Sequence, residues 1–222
     1  MREIIFDTET TGFDPFSGDR VIEIGAVEMV NRVLTGENFH VYCNPERDVP
    51  EGAFKVHGLS TEFLQDKPLI IDVLDDFIAF IGQDPLVAHN ATFDMKFINW
   101  ELENASKAPV PKDQFKDTLV LARTKYPGQP NSLDALCKRL GVNNSNRTLH
   151  GALLDSEILA DVYVELLGGR QAGLDLSVAS KGMVTTTAIR QKREARTFVA
   201  SDEEKALHTD FVDRLENPIW KS

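Results

Sequence analysis

The sequence has little sulfur, no long apolar run and no excess of positive charge. Its two cysteines, Cys43 and Cys137, lie far apart and form no C-x-x-C pair. That excludes a disulfide scaffold and a thiolate zinc site. The longest apolar runs, such as Leu69–Ile71 and Phe77–Ile81, are short and have charges close by. None approaches the roughly 20 apolar residues that a membrane span needs. The chain opens on Met1-Arg2-Glu3-Ile4-Ile5-Phe6-Asp7, with no charged-then-apolar leader, so a cytoplasmic protein is expected. Lys and Arg number 24 against 35 Asp and Glu, a net charge of −11. Such a balance argues against a nonspecific grip on duplex phosphates. The acidity is uneven. Residues 170–222 carry nine basic and eight acidic side chains, a net of +1, which leaves about −12 for residues 1–169. An acidic body can still act on nucleic acid where divalent metals neutralise its carboxylates.

What is present is a globular composition, with 42% hydrophobic and 27% charged residues. Ile4–Phe6 is an apolar run ending at Asp7, and Val21–Met29 and Phe39–Cys43 read as two further strands. Gly12, Pro15, Gly18, Gly36 and Pro45 punctuate the joints. From Ile70, the apolar residues Val73, Leu74, Phe77, Ile78 and Ile81 recur at helical spacing and stop at Gly82. Leu86–Ala88 reads as a buried strand, followed by a helix carrying Phe93, Phe97, Trp100 and Leu102. Asp117–Tyr126 reads as a short helix, and Ser132 and Gly141 bracket another. The last strong helix is expected from about Leu149 to Leu167. Strands interleaved with helices predict an α/β fold with a mixed sheet. After Gly169 the pattern fails. Residues 170–201 read as a flexible linker, and 202–222 as a terminal segment with one helix capped by Ser201.

Asp7-Thr8-Glu9 closes a buried strand, where alternation aims the side chains of Asp7 and Glu9 the same way. Two carboxylates held together away from water require protons or cations, and hard divalent ions such as Mg²⁺ or Mn²⁺ suit them. A lone D-x-E is more often a solvated turn. Asp94 falls just inside a helix, and His150 and Asp155 fall five residues apart near the start of the last one. On one helix that spacing makes the two side chains diverge, so that they could flank one cleft, one at the helix start and the other a turn and a half deeper.

Taken together, Asp7-Thr8-Glu9-Thr10-Thr11-Gly12, His89-Asn90-Ala91-Thr92-Phe93-Asp94 and His150-Gly151-Ala152-Leu153-Leu154-Asp155 resemble the three motifs of the DEDDh family of 3′→5′ exonucleases. Val21–Glu28, Val56-His57-Gly58, Asn131–Cys137 and Arg147–His150 are similar to the proofreading ε-subunit branch of that family, and the resemblance spans residues 2–169. It implies a ribonuclease H-like fold, a polymerase III complex, and hydrolysis of a DNA 3′ end, single-stranded or mispaired, to 5′-mononucleotides. It also implies two metal ions about 3.5–4 Å apart, bound by Asp7, Glu9, Asp94 and Asp155, with His150 as the proton acceptor. Thr10, His57, Asn90 and Phe93 would line the terminal-nucleotide pocket by the same similarity. Phe93 could equally be a core aromatic and His57 a turn cap, while His89 is expected to brace its loop.

Gln171-Ala172-Gly173-Leu174-Asp175-Leu176 resembles the peptides that bind the β sliding clamp, through Gln171, Leu174 and Leu176, although Leu176 replaces the frequent Phe. The resemblance also implies that the C-terminus holds the polymerase III α subunit, through Phe211, Leu215, Ile219 and Trp220. Two rival readings remain: an RNA-directed exonuclease of the same family, and a non-catalytic bridge between clamp and polymerase.

Overall fold

The structure is a computed structural model that describes residues 1–169 and 200–215. Three antiparallel strands come first: β1 (Arg2–Thr10), β2 (Val21–Val30) and β3 (Val33–Tyr42). They are followed by α1 (Glu51–His57), α2 (Thr61–Leu64), α3 (Ile70–Ile81), β4 (Leu86–Ala88) and α4 (Ala91–Asn104). Then come β5 (Phe115–Asp117), α5 (Thr118–Lys125), α6 (Leu133–Leu140) and α7 (Ala152–Leu166). The sheet order is β3-β2-β1-β4-β5, with β4 parallel to β1 and β5 parallel to β4. Contacts separate the chain into two compact units, Met1–Leu174 and Asp175–Ser222.

Strand β1 is the middle of the molecule. Ile4, Ile5 and Phe6 are all fully buried, and their alternation divides the core into two layers. Ile4 and Phe6 pack with Leu74 and Phe77 of α3 and with Phe97 of α4. Ile5 packs on the other face with Leu159, Ala160 and Tyr163 of α7. On the outer face of α7, its Ile158 and Val162 meet Leu136 of α6 and Ala122 of α5. Asp7 and Glu9 therefore continue the α7 side of β1, and Thr8 continues the α4 side.

Gly25 sets the height of α7 on the sheet. A Cβ there would sit 2.1 Å from the Leu153 backbone nitrogen, so only glycine admits the approach. The Ser156 hydroxyl donates to the Gly25 carbonyl at 2.8 Å and fixes the contact. These two features press the first turn of α7, which carries Asp155, against the strands that carry Asp7 and Glu9.

The helix signals hold where local chemistry specifies them. Ser132 accepts from the Ala135 amide, Gly141 adopts a left-handed conformation (φ 73°), and Ser201 forms a capping box with Glu204. Helix α8 (Asp202–Asp213) leaves Leu207 and Phe211 exposed. Three features depart from expectation. Helices α1 and α2 and strand β5 carry no periodic apolar signal, because each is seven residues or shorter. Helix α7 begins at Ala152 rather than near Leu149. His150 consequently lies ahead of the helix, and the divergence from Asp155 expected for two residues on one helix does not occur. Most of the expected linker, together with Gln171, Leu174, Leu176, Ile219 and Trp220, lies outside the described residues.

Candidate active site

Asp7 and Glu9 enter the site at the C-terminal end of β1, and Asp155 approaches from the first turn of α7. Asp94 arrives from the opposite layer, in the first turn of α4. Its carboxylate reaches round the strand end and accepts from Thr8 Oγ1 at 2.7 Å. All four carboxylates and His150 line one cavity of about 250 Å³, with Asn90, Phe93 and Arg147 also in its wall. Ligand atoms of Glu9, His150 and Asp155 lie within 4.8 Å of one another.

Burial and crowding raise three of the carboxyl groups. Asp7, partly accessible where it lines the cavity, is pushed well above its ordinary value, first by burial and then by the charges of Asp94, Glu9 and Asp155. Glu9 is pushed to about 8 by burial, by Glu23 and by the neighbouring aspartates. Glu23 is its register partner on β2 and is itself buried, in contact with His40 Nε2 at 2.8 Å. Asp94 is pushed to about 7, chiefly by burial, with the Thr8 hydrogen bond opposing. Asp155 goes the other way. Burial would raise it, but hydrogen bonds and charge from His150 and Arg147 prevail and hold it below the ordinary range.

This donor set fits hard divalent cations. Oxygen ligands dominate, and the accumulated negative charge is stable only with protons or cations in place. The sheet strands and two helices hold the four carboxylates on rigid elements.

A second cavity, of about 620 Å³, adjoins the first and shares Thr8, Glu9 and Phe93 with it. Thr10, Val56 and His57 also line it. His57 accepts from the Leu59 amide through Nδ1 at 3.0 Å, which is the turn-capping role. Its buried Nε2 has no hydrogen-bond partner among the described residues. Burial, then proximity to His150, lower the His57 pKa, which favours the neutral ring and leaves that nitrogen available to a ligand. Phe93 is half-buried between the cavities and contacts Phe97 at a 5.0 Å ring separation. Thr10 turns its hydroxyl to the Gly12 carbonyl at 2.6 Å. Asn90 takes a left-handed conformation (φ 69°) and its backbone N–H donates to Asp117 Oδ1 at 3.1 Å. His89 is held at both ring nitrogens, by Thr118 Oγ1 at 2.8 Å and the Asn131 carbonyl at 2.9 Å, so it braces the loop.

Sequence reasoning missed Arg147 as a member of the site. Its guanidinium is buried, donates to both oxygens of Asp155, and touches His150. Glu23 was missed too, although antiparallel pairing of two acidic strands was the signal that could have found it.

A five-stranded mixed sheet with a carboxylate-lined cleft at the end of its central strand defines the class. Residues 4–163 match the family model described as exonuclease. Exonuclease X, solved in complex with 5′-overhanging duplex DNA, is 27% identical, with a TM-score of 0.58 over 75% of this chain and 90% of that one. Exonuclease I shares the fold at 20% identity and a TM-score of 0.67, covering 77% of this chain and 41% of that chain. The fold is ribonuclease H-like, and the protein is a 3′→5′ exonuclease.

The DNA polymerase III subunit epsilon of Rickettsia felis is 50% identical over 223 residues, covering 97% of both chains. That of Escherichia coli is 44% identical over 241 residues, covering 100% of this chain and 98% of the relative. The chain belongs to the family of DNA polymerase III ε subunits, the proofreading exonucleases. No helix among the described residues is long and apolar enough to cross a membrane.

Proposed function

We propose that the enzyme removes nucleotides one at a time from a single-stranded or mispaired DNA 3′ end, using cations held by Asp7, Glu9, Asp94 and Asp155 and a proton acceptor at His150. The observation that carries this reading is the convergence of these five side chains on one cavity of about 250 Å³. Two divalent ions, Mg²⁺ or Mn²⁺, would neutralise the phosphate oxygens and lower the pKa of a water. His150 is suited to take up the proton. Arg147 carries donors only, so the neutral ring accepts at Nδ1 from Nη2 at 2.9 Å, and a proton taken up there replaces that hydrogen bond. That nitrogen also lies 3.4 Å from Asp155 Oδ2, where a newly charged ring is stabilised. Such proton transfer contributes about 10²–10⁴ in rate.

The adjoining 620 Å³ cavity suits the terminal nucleotide. Phe93 offers a stacking face at its boundary with the carboxylates, Thr10 and His57 offer polar atoms, and Asn90 lies on the carboxylate side. Frayed ends reach such a recess more readily than paired ones, since an unpaired base costs less to unstack. The protein would act in the cytoplasm as part of the replication machinery. Gln171, Leu174 and Leu176 would engage the β sliding clamp, and Phe211, Leu215 and Trp220 the polymerase III α subunit. Phe211 and Leu215 are exposed on and just beyond α8, which leaves them available for such a contact.

The test is incubation of a 3′-mispaired DNA primer and a matched RNA with the full chain and Mg²⁺ or Mn²⁺. Release of deoxynucleoside 5′-monophosphates is expected, abolished in Asp7→Ala and strongly slowed in His150→Ala. Undiminished hydrolysis by Asp7→Ala would refute the site, and faster hydrolysis of the RNA would refute the substrate. Association of Phe211→Ala or Trp220→Ala with the α subunit at parental affinity would refute that surface.

A further inference from the structure

His150 is poorly supported by its own segment. It follows α6 by ten residues and precedes α7, and its side chain is 47% exposed. Its backbone amide donates to the Val56 carbonyl of α1 at 3.1 Å, which holds the peptide but leaves the ring free to turn. The ring itself meets Arg147 Nη2 at 2.9 Å and Asp155 Oδ2 at 3.4 Å.

Arg147 is held from several directions. Its side chain is 7% exposed. Nε and Nη2 form a fork onto the two oxygens of Asp155, with Nη2 at 2.7 Å from Oδ2. Nη1 donates to Asp134 Oδ1 at 2.7 Å, which ties the fork to α6. Asn144 Nδ2 reaches the same Asp134 oxygen at 3.0 Å, so the segment before His150 has a second tie to α6. A planar guanidinium with five donors can satisfy Asp155, Asp134 and His150 at once, which a lysine ammonium of point geometry cannot.

We propose that Arg147 is a positioning residue that clamps the His150 ring beside the carboxylate cavity through its fork onto Asp155 and Asp134, while its charge moderates how tightly that cavity holds divalent cations. The inference rests on the exonuclease reading above, and it separates two properties of one side chain. The fork's geometry governs where the His150 ring sits beside the cavity, and so governs turnover. The positive charge next to Asp155 repels a divalent ion, and so governs metal affinity. A residue that merely kept the segment folded would move both downward together.

The experiment compares Arg147→Gln and Arg147→Lys with the parent full chain. Mn²⁺ binding is followed by electron paramagnetic resonance without DNA, and hydrolysis is followed on a labelled single-stranded DNA. Thermal melts report folding. Loss of an outer partner typically lowers activity about 10–100-fold, and Arg147→Gln is expected to lose kcat in that range with KM for DNA unchanged. Its Mn²⁺ dissociation constant is expected to fall severalfold, because a repelling charge close to the ions is gone. Arg147→Lys keeps the charge without the fork. It should bind Mn²⁺ as the parent does and still turn over slowly. The proposal is overturned if Arg147→Gln keeps the parental kcat, if its slower turnover comes with weaker Mn²⁺ binding, or if Arg147→Lys restores full turnover. A parent chain that binds Mn²⁺ yet leaves DNA ends intact would instead sink the functional reading, which keeps the two failures distinguishable.

Discussion

Raising the pH should destabilise the metal-free protein in a range where most proteins hardly respond. Glu9 is pushed to about 8 and Asp94 to about 7, from ordinary values of 4.5 and 3.8. Each folded-state pKa exceeds its unfolded value, so the folded chain holds protons that the unfolded chain has released. Stability therefore falls as pH rises through 7 and 8. Between pH 6.5 and 8.5, the folded chain retains the extra proton on Glu9 over about 1.5 pH units and that on Asp94 over about half a unit. At roughly 1.4 kcal/mol per unit, that amounts to about 2–3 kcal/mol. For a domain of this size, it corresponds to a drop in Tm of roughly 5–10 °C. Saturating Mn²⁺ should remove the effect, because cations replace the protons and bind the ionised carboxylates more tightly as pH rises. Differential scanning calorimetry at pH 6.5, 7.5 and 8.5, with chelator and with Mn²⁺, measures both arms. A metal-free Tm that is flat or rising across this range would refute the reasoning, as would an equal decline with Mn²⁺ present.

Other outcomes follow from the same geometry. Glu9→Gln removes a buried charge that repels Glu23 and the aspartates, so it should raise the metal-free Tm at pH 8.5 while abolishing hydrolysis; a lower Tm would contradict the repulsion account. Thr8→Val keeps the side chain's shape but removes the 2.7 Å donor to Asp94. It should cost about 1.5–3 kcal/mol at pH 8.5, where that carboxylate is charged, and clearly less at pH 5.5, as urea titrations at the two pH values would show. Gly25→Ala places a Cβ 2.1 Å from the Leu153 nitrogen. Backbone cannot yield as a flexible side chain does, so destabilisation of roughly 3 kcal/mol or more is expected, and a parental melting curve would disprove the close approach of α7 to β2.

Much of this architecture is written in local chemistry. The fully buried run Ile4–Phe6, the helical spacing of Leu74, Phe77 and Ile81, and the caps at Ser132, Gly141 and Ser201 act within one strand or one turn. Such signals survive in a bare sequence, and so does the alternation that aims Asp7 and Glu9 alike. The five acidic and histidine positions were legible through motif resemblance.

Tertiary structure decided the remainder, because those features depend on partners distant in the chain. The three residues of β5 form a strand through pairing with β4, and α1 and α2 are too short to be stable alone. The cleft's shape depends on Gly25 admitting α7, a contact spanning more than 120 residues. Starting α7 at Ala152 turns His150 toward Asp155 instead of away from it. The elevated carboxyls of Glu9 and Asp94 likewise come from burial and from charges brought near by folding. Residue types establish which chemistry is available, whereas the field each group experiences belongs to the assembled surroundings, since electrostatic energy depends on distances that only packing sets.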